Sequence, residues 1–140
     1  MLTQIAAGTI VIVVSLFIHG MGIALAVDGL NRFFSRISHR QPPLRRLQIV
    51  FGGIMLILLL NTICVYIWAA AFEALGVVGD WETAVYFSLV CYTTLGFGDI
   101  LGAPEWRLLS GFAATNGMIA FGISTAFLIE LMRRVHFVER

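Results

Sequence analysis

Between two strongly apolar stretches lies a run that a membrane-spanning helix cannot absorb, Thr93-Thr94-Leu95-Gly96-Phe97-Gly98-Asp99. The dozen or so residues before it, from Asp80 to Thr93, read as a helix too short to cross a bilayer core of roughly 30 Å. The 140 residues are 59% hydrophobic and 12% charged, with mean hydropathy +0.93. A soluble domain has about 45–50% and about 25%. An all-α membrane protein is therefore expected, with no room for a separate soluble domain. Non-helical backbone at membrane depth survives only where it is buried in protein or lines a wet cavity. The run is predicted to complete a re-entrant hairpin, inward as helix and back as extended strand, and to be functional by default.

The residue types in the run suggest what it can do. A backbone whose successive carbonyls all face one axis alternates between ordinary and left-handed conformations. Glycine reaches the left-handed region without steric cost, so Gly96 and Gly98 suit every second position. Carbonyls along Thr94, Leu95, Gly96, Phe97 and Gly98, with the Thr94 hydroxyl below them, would form a ladder of oxygens able to replace the water around a bare cation.

Three segments are long enough to span. Ile5 to Val27 is a continuous apolar run within an additional N-terminal helix, residues 1–30. Ala24-Leu25-Ala26 resembles a cleavage site, but Met1 to Gln4 hold no Lys or Arg, and the stretch exceeds the usual ~7–15-residue signal core. It is read as uncleaved. Residues 31–46 form an Arg-rich loop with Arg32, Arg36, Arg40, Arg45 and Arg46, in which Pro42-Pro43 should break any helix. Leu47 to Phe72 is the second span, with Tyr66 and Trp68 expected at an interface. Asp80 is a predicted N-cap. Pro104 and Glu105 open the last span, from about Trp106 to Met132. Residues 134–140 make a short tail. Short arginine-rich loops stay in the cytoplasm, so the N-terminus is expected outside and the C-terminus inside, in a plasma or inner cell membrane. Glu73, Asp80, Glu82, Asp99 and Glu105 would then gather near the outer mouth and raise the local cation concentration.

Cys64 and Cys91 lie in apolar helical stretches and suggest neither a disulfide framework nor a metal site. All nine basic residues are arginine, and the net charge of +1 says nothing of nucleic acid. No nucleophile–base set supports an enzyme.

Residues 47–133 resemble the potassium-channel pore module of outer helix, pore helix, T-T-V-G-Y-G-D type filter and inner helix. Tyr86-Phe87-Ser88 and Thr93 to Asp99 follow that pattern without gaps. Trp106-Arg107-Leu108, Asn116-Gly117, Phe121-Gly122 and Thr125-Ala126 resemble the inner helix of simple bacterial members. The resemblance implies a homotetramer in the bilayer, with filter strands from four subunits and no cofactor beyond potassium ions in the filter. It implies that Thr94 to Phe97 supply coordinating oxygens, that Asp99 sits at the outer mouth, and that Gly117 sits at a gating hinge. Leu95 and Phe97 stand where the family usually has valine and tyrosine. Phe87 stands where an indole often receives that tyrosine's hydroxyl, so an apolar cuff of Phe97 and Phe87 is expected. Val90 stands where some members place a glutamate facing the aspartate. Phe87, Val90 and Thr93 are the expected supports of the filter.

Met118, Phe121, Thr125 and Ile129 recur at helical spacing and either line the cavity and gate or pack between helices. Asn116 either faces the cavity or bonds another helix. His19 is expected to pack against a neighbouring helix. The expected function is passive, potassium-selective conduction. A weakly selective cation channel and a non-conducting subunit of a larger channel or transporter are the alternatives.

Overall fold

The computed structural model describes residues 1–35 and 42–136; Arg36, Arg40 and Arg140 of the predicted cytoplasmic segments lie outside them. Four helices follow in order: α1, Leu2–Ser35; α2, Pro43–Ala74; α3, Trp81–Tyr92; and α4, Arg107–His136, entered through a 3₁₀ turn at Pro104–Trp106. Three helical stretches, Leu2–Ser35, Pro43–Ala74 and Pro104–Val135, are long and apolar enough to cross a membrane. The protein is a multi-pass membrane protein.

Two boundaries differ from expectation. Helix α1 runs on to Ser35, and α2 begins at Pro43 rather than Leu47. Pro42-Pro43 starts a helix instead of breaking one, because the first turn has no partner for the missing N–H and a fixed φ suits it. Asn31 and Arg32 therefore belong to α1, and Arg45 and Arg46 to α2.

Helices α1 and α4 lie side by side and parallel. The Leu108 amide donates to Gln4 Oε1 at 3.2 Å. Gly8 lies so close to the Phe112 ring that a Cβ would stand 2.6 Å from it. His19 Nε2 meets Ser124 Oγ at 3.2 Å, and the Arg134 guanidinium donates to Asn31 Oδ1. The polar pairs are 104, 105 and 103 residues apart, so the register holds along the whole pair. Helix α2 runs the other way: Gly22 takes Leu60, and Cys64 lies 3.8 Å from the Ser15 carbonyl and from His19 Nδ1. The N-terminal ends of α1 and α4 thus share one end of the bundle with the C-terminal end of α2.

Trp68 corrects an expectation. It is fully buried, and its Nε1–H donates to Asn116 Oδ1 at 2.9 Å. It is an α2–α4 tie rather than an interfacial anchor, and it settles Asn116 as a helix-bonding residue. Tyr66 is exposed and stacks on Trp81, ring centroids 6.2 Å apart.

Helix α2 ends in a left-handed glycine cap. Gly76 has φ +66°, the Gly76 amide donates to the Glu73 carbonyl, and the Val77 amide donates to that of Phe72. These two bonds reverse the chain and satisfy carbonyls the helix end would leave open. Asp80 then caps α3: the Thr83 amide donates to Oδ1 at 2.9 Å and the Thr83 hydroxyl to Oδ2 at 2.7 Å. Those bonds hold the Asp80 carboxyl below its ordinary range. A depressed folded pKa gives stability that is present above the unfolded value of about 3.9 and is lost as pH falls through the folded value. Asp80→Asn keeps a capping oxygen without the titration. It is expected to leave the neutral-pH melting temperature nearly unchanged and to flatten its decline below about pH 4. Melting curves of both proteins across that window check this; parallel declines would show that other groups carry the acid sensitivity.

The segment from Val77 to Ala103 is a hairpin whose two ends meet. The Ala103 amide donates to the Val77 carbonyl at 3.0 Å. A Cβ on Gly102 would stand 2.8 Å from Val77.

Candidate functional site

Helix α3 is fixed before the strand begins. The Ser88 hydroxyl donates to the Val65 carbonyl at 2.7 Å. The Tyr92 hydroxyl donates to Asn61 Oδ1 at 3.0 Å, and Asn61 in turn donates to the Ile57 carbonyl. On the other side α4 touches the α3 backbone: a Cβ on Gly117 would lie 1.8 Å from the Tyr92 carbonyl oxygen. The last turn of α3 is thus clamped between α2 and α4.

The chain after Tyr92 folds back on that turn. The Thr94 amide donates to the Cys91 carbonyl, and those of Leu95 and Gly96 to the Val90 carbonyl, at 3.0, 3.0 and 3.3 Å. A planar trans peptide sets its C=O opposite its N–H. The carbonyls of Thr93, Thr94 and Leu95 therefore face away from α3. Positive φ falls at every second residue: Thr94 at 61°, Gly96 at 55° and Gly98 at 75°. For a β-branched residue such as Thr94 this region is an outlier costing about 1–3 kcal/mol, sustained only where the surroundings over-determine it. Three amides bonded to a clamped helix end supply that determination.

All six residues from Thr94 to Asp99 are exposed, Leu95 and Phe97 among them. Behind the strand a cavity of about 500 Å³ is lined by Phe87, Val90, Gly96, Gly98, Trp106 and Arg107, among others. Within one chain Phe87 does not form the expected cuff with Phe97. Its ring packs on Phe72 at 5.1 Å, while Phe97 stands 66% exposed. Val90 contributes its carbonyl to the strand as well as its side chain to the cavity wall. The Thr93 hydroxyl donates to the Leu89 carbonyl at 2.7 Å and lies 3.5 Å from the Val90 carbonyl that accepts the strand amides.

Asp99 has a partner that the sequence did not reveal. The Tyr86 hydroxyl donates to Oδ2 at 2.6 Å and holds the carboxyl below its usual range. Tyr86 lies one turn before Val90 on the same face of α3, which is the signal that would have found it.

Gly117 is buried, whereas Met118, Phe121, Thr125 and Ile129 are exposed. Phe121 also meets the Tyr92 ring edge to face at 5.6 Å. With Gly111, Thr115 and Gly122, which are also exposed, Met118, Thr125 and Ile129 form one stripe of α4 at helical spacing.

A family model described as "ion channel" matches residues 52–134. That range takes in most of α2, all of α3, the glycine strand and nearly all of α4. The chain belongs to this ion-channel family, the two-helix pore modules of potassium channels. No curated protein and no solved structure matches the chain. Within the ion channel the matched module is the part that holds the strand; α1 lies outside the match and packs along it.

Proposed function

We propose that the protein is a passive, potassium-selective channel built from four copies around a common axis. The observation that carries this reading is the left-handed backbone at Thr94, Gly96 and Gly98, with the amides of Thr94, Leu95 and Gly96 turned back onto α3. A strand so arranged offers its carbonyls to one side, as a dehydrated cation requires. One strand gives one wall, and a ring of oxygens needs several. The unbroken exposure from Thr94 to Asp99 suits a surface that neighbouring copies cover. In that assembly the hairpin re-enters the membrane from the outer side, with the N-terminus outside and the C-terminus cytoplasmic. The stripe Gly111, Thr115, Met118, Gly122, Thr125 and Ile129 lines the path below the strand. Gly117 then lies where the inner helix bends. Asp99, held ionised by Tyr86, stands at the outer mouth and concentrates cations there.

Flux from liposomes containing the pure protein tests the reading. Rubidium and potassium are expected to pass and sodium to pass poorly. Equal potassium and sodium flux would overturn the potassium assignment and leave a weakly selective cation pore. No flux from a well-folded protein would point to a non-conducting subunit.

A further inference from the structure

At the arginine end of the bundle an apolar groove of about 280 Å³ runs between α1, α2 and α4. Leu30 and Phe33 form one wall, Gly52 and Leu56 the other, and Phe127 and Leu131 of α4 the floor. The groove is open because two adjacent glycines differ in use. Gly53 is filled by Leu131, which a Cβ would meet at 2.3 Å, whereas a Cβ on Gly52 would meet nothing within 4 Å. A helix about 10–12 Å across does not fit such a space, but one acyl chain does.

The mouth of the groove carries charge. The Arg45 guanidinium lies over the Phe33 ring, 5.4 Å from its centroid. An arginine held over a ring face keeps its charge and its N–H donors, the fork that fits a phosphate. Nearby in sequence stand Arg32 and Arg46, against Asp28 as the acidic residue of that part of α1. Among the described residues at this end, Glu130 is taken by Arg134 at 2.7 Å and Arg133 at 3.7 Å.

We propose that this groove binds an anionic phospholipid of the adjoining leaflet, one acyl chain along Gly52 and the phosphate on Arg45. One of its walls, formed by Leu30 and Phe33, belongs to α1, outside the ion-channel match. Its floor is the part of α4 beyond Gly117, so occupancy bears on the helix that lines the path.

The full-length protein is reconstituted with phosphatidylcholine and phosphatidylglycerol in equal parts, extracted, and its retained lipid identified by native mass spectrometry. Phosphatidylglycerol is expected to be enriched about fivefold, the effect of one basic group near the headgroups. Arg45→Gln is expected to abolish the enrichment, and Gly52→Phe to remove the retained lipid altogether while circular dichroism stays that of the parent. No enrichment in the parent, or enrichment surviving in both variants, overturns the proposal. Should Arg45→Gln fail to fold, Gly52→Phe decides alone. The readout is lipid, not current, so it stands or falls separately from the conduction assignment.

Discussion

Gly117→Ala is expected to prevent a stable protein from forming, although the change improves the helix it sits in. Alanine is favoured over glycine in a helix interior by about 0.8–1.0 kcal/mol. Against that gain stands a Cβ placed 1.8 Å from the Tyr92 carbonyl oxygen and 2.9 Å from its carbon. Non-bonded carbon contacts settle at roughly 3.5–4.0 Å, so α4 and the end of α3 must part by more than about an ångström. The obstacle is backbone, and no rotamer change relieves it. Overpacking of side chains already costs about 1–3 kcal/mol, and a backbone clash falls at or beyond the upper end. The parted helix end is the one that holds the amides of Thr94, Leu95 and Gly96. Thermal melting in detergent and potassium flux should therefore be lost together. A variant that melts like the parent and only opens less often would mean that Gly117 serves as a hinge and that the close approach to Tyr92 is dispensable.

The three spans were legible because bilayer thickness sets a length that hydropathy reads directly. Their faces were less so. In lipid a helix is apolar all round, and the usual apolar stripe gives no direction. Helix α1 nevertheless carried a signal in its small and polar residues. Gln4, Gly8, Ser15, His19 and Gly22 recur at helical spacing, and each faces α4 or α2. Trp68 differs from its interfacial expectation for the same reason: an indole near a helix end marks a depth, and only its bond to Asn116 marks the side. In the strand, Gly96 and Gly98 announced their conformation because glycine is the residue such a backbone selects. Thr94 did not, because a β-branched residue argues against the region it occupies. The Tyr86–Asp99 bond spans 13 residues between helix and strand, and only the helical turn from Tyr86 to Val90 places the phenol beside the position that faces the aspartate.

Gly96→Ala is expected to give the opposite phenotype from Gly117→Ala: a protein that folds and does not discriminate. At Gly96 space is not the constraint, since a Cβ would meet nothing within 4 Å in the chain. The constraint is φ +55°, where a Cβ crowds the carbonyl that follows at about 1–2 kcal/mol per residue. Alanine relieves this by turning its peptide toward the ordinary region, and the turn swings one carbonyl out of line. In the proposed ring of copies the cost recurs in each chain around the same site. The strand already carries the strain of Thr94. Helices α1, α2 and α4 take no part in that change, so melting should stay close to the parent while the potassium-over-sodium flux ratio collapses. Gly98→Ala, at φ +75° with equally open surroundings, should behave alike. Normal selective flux from either variant would show that the alternating backbone does not coordinate the ion. Loss of the folded protein instead would place the strand in the scaffold, with α3 depending on it rather than holding it.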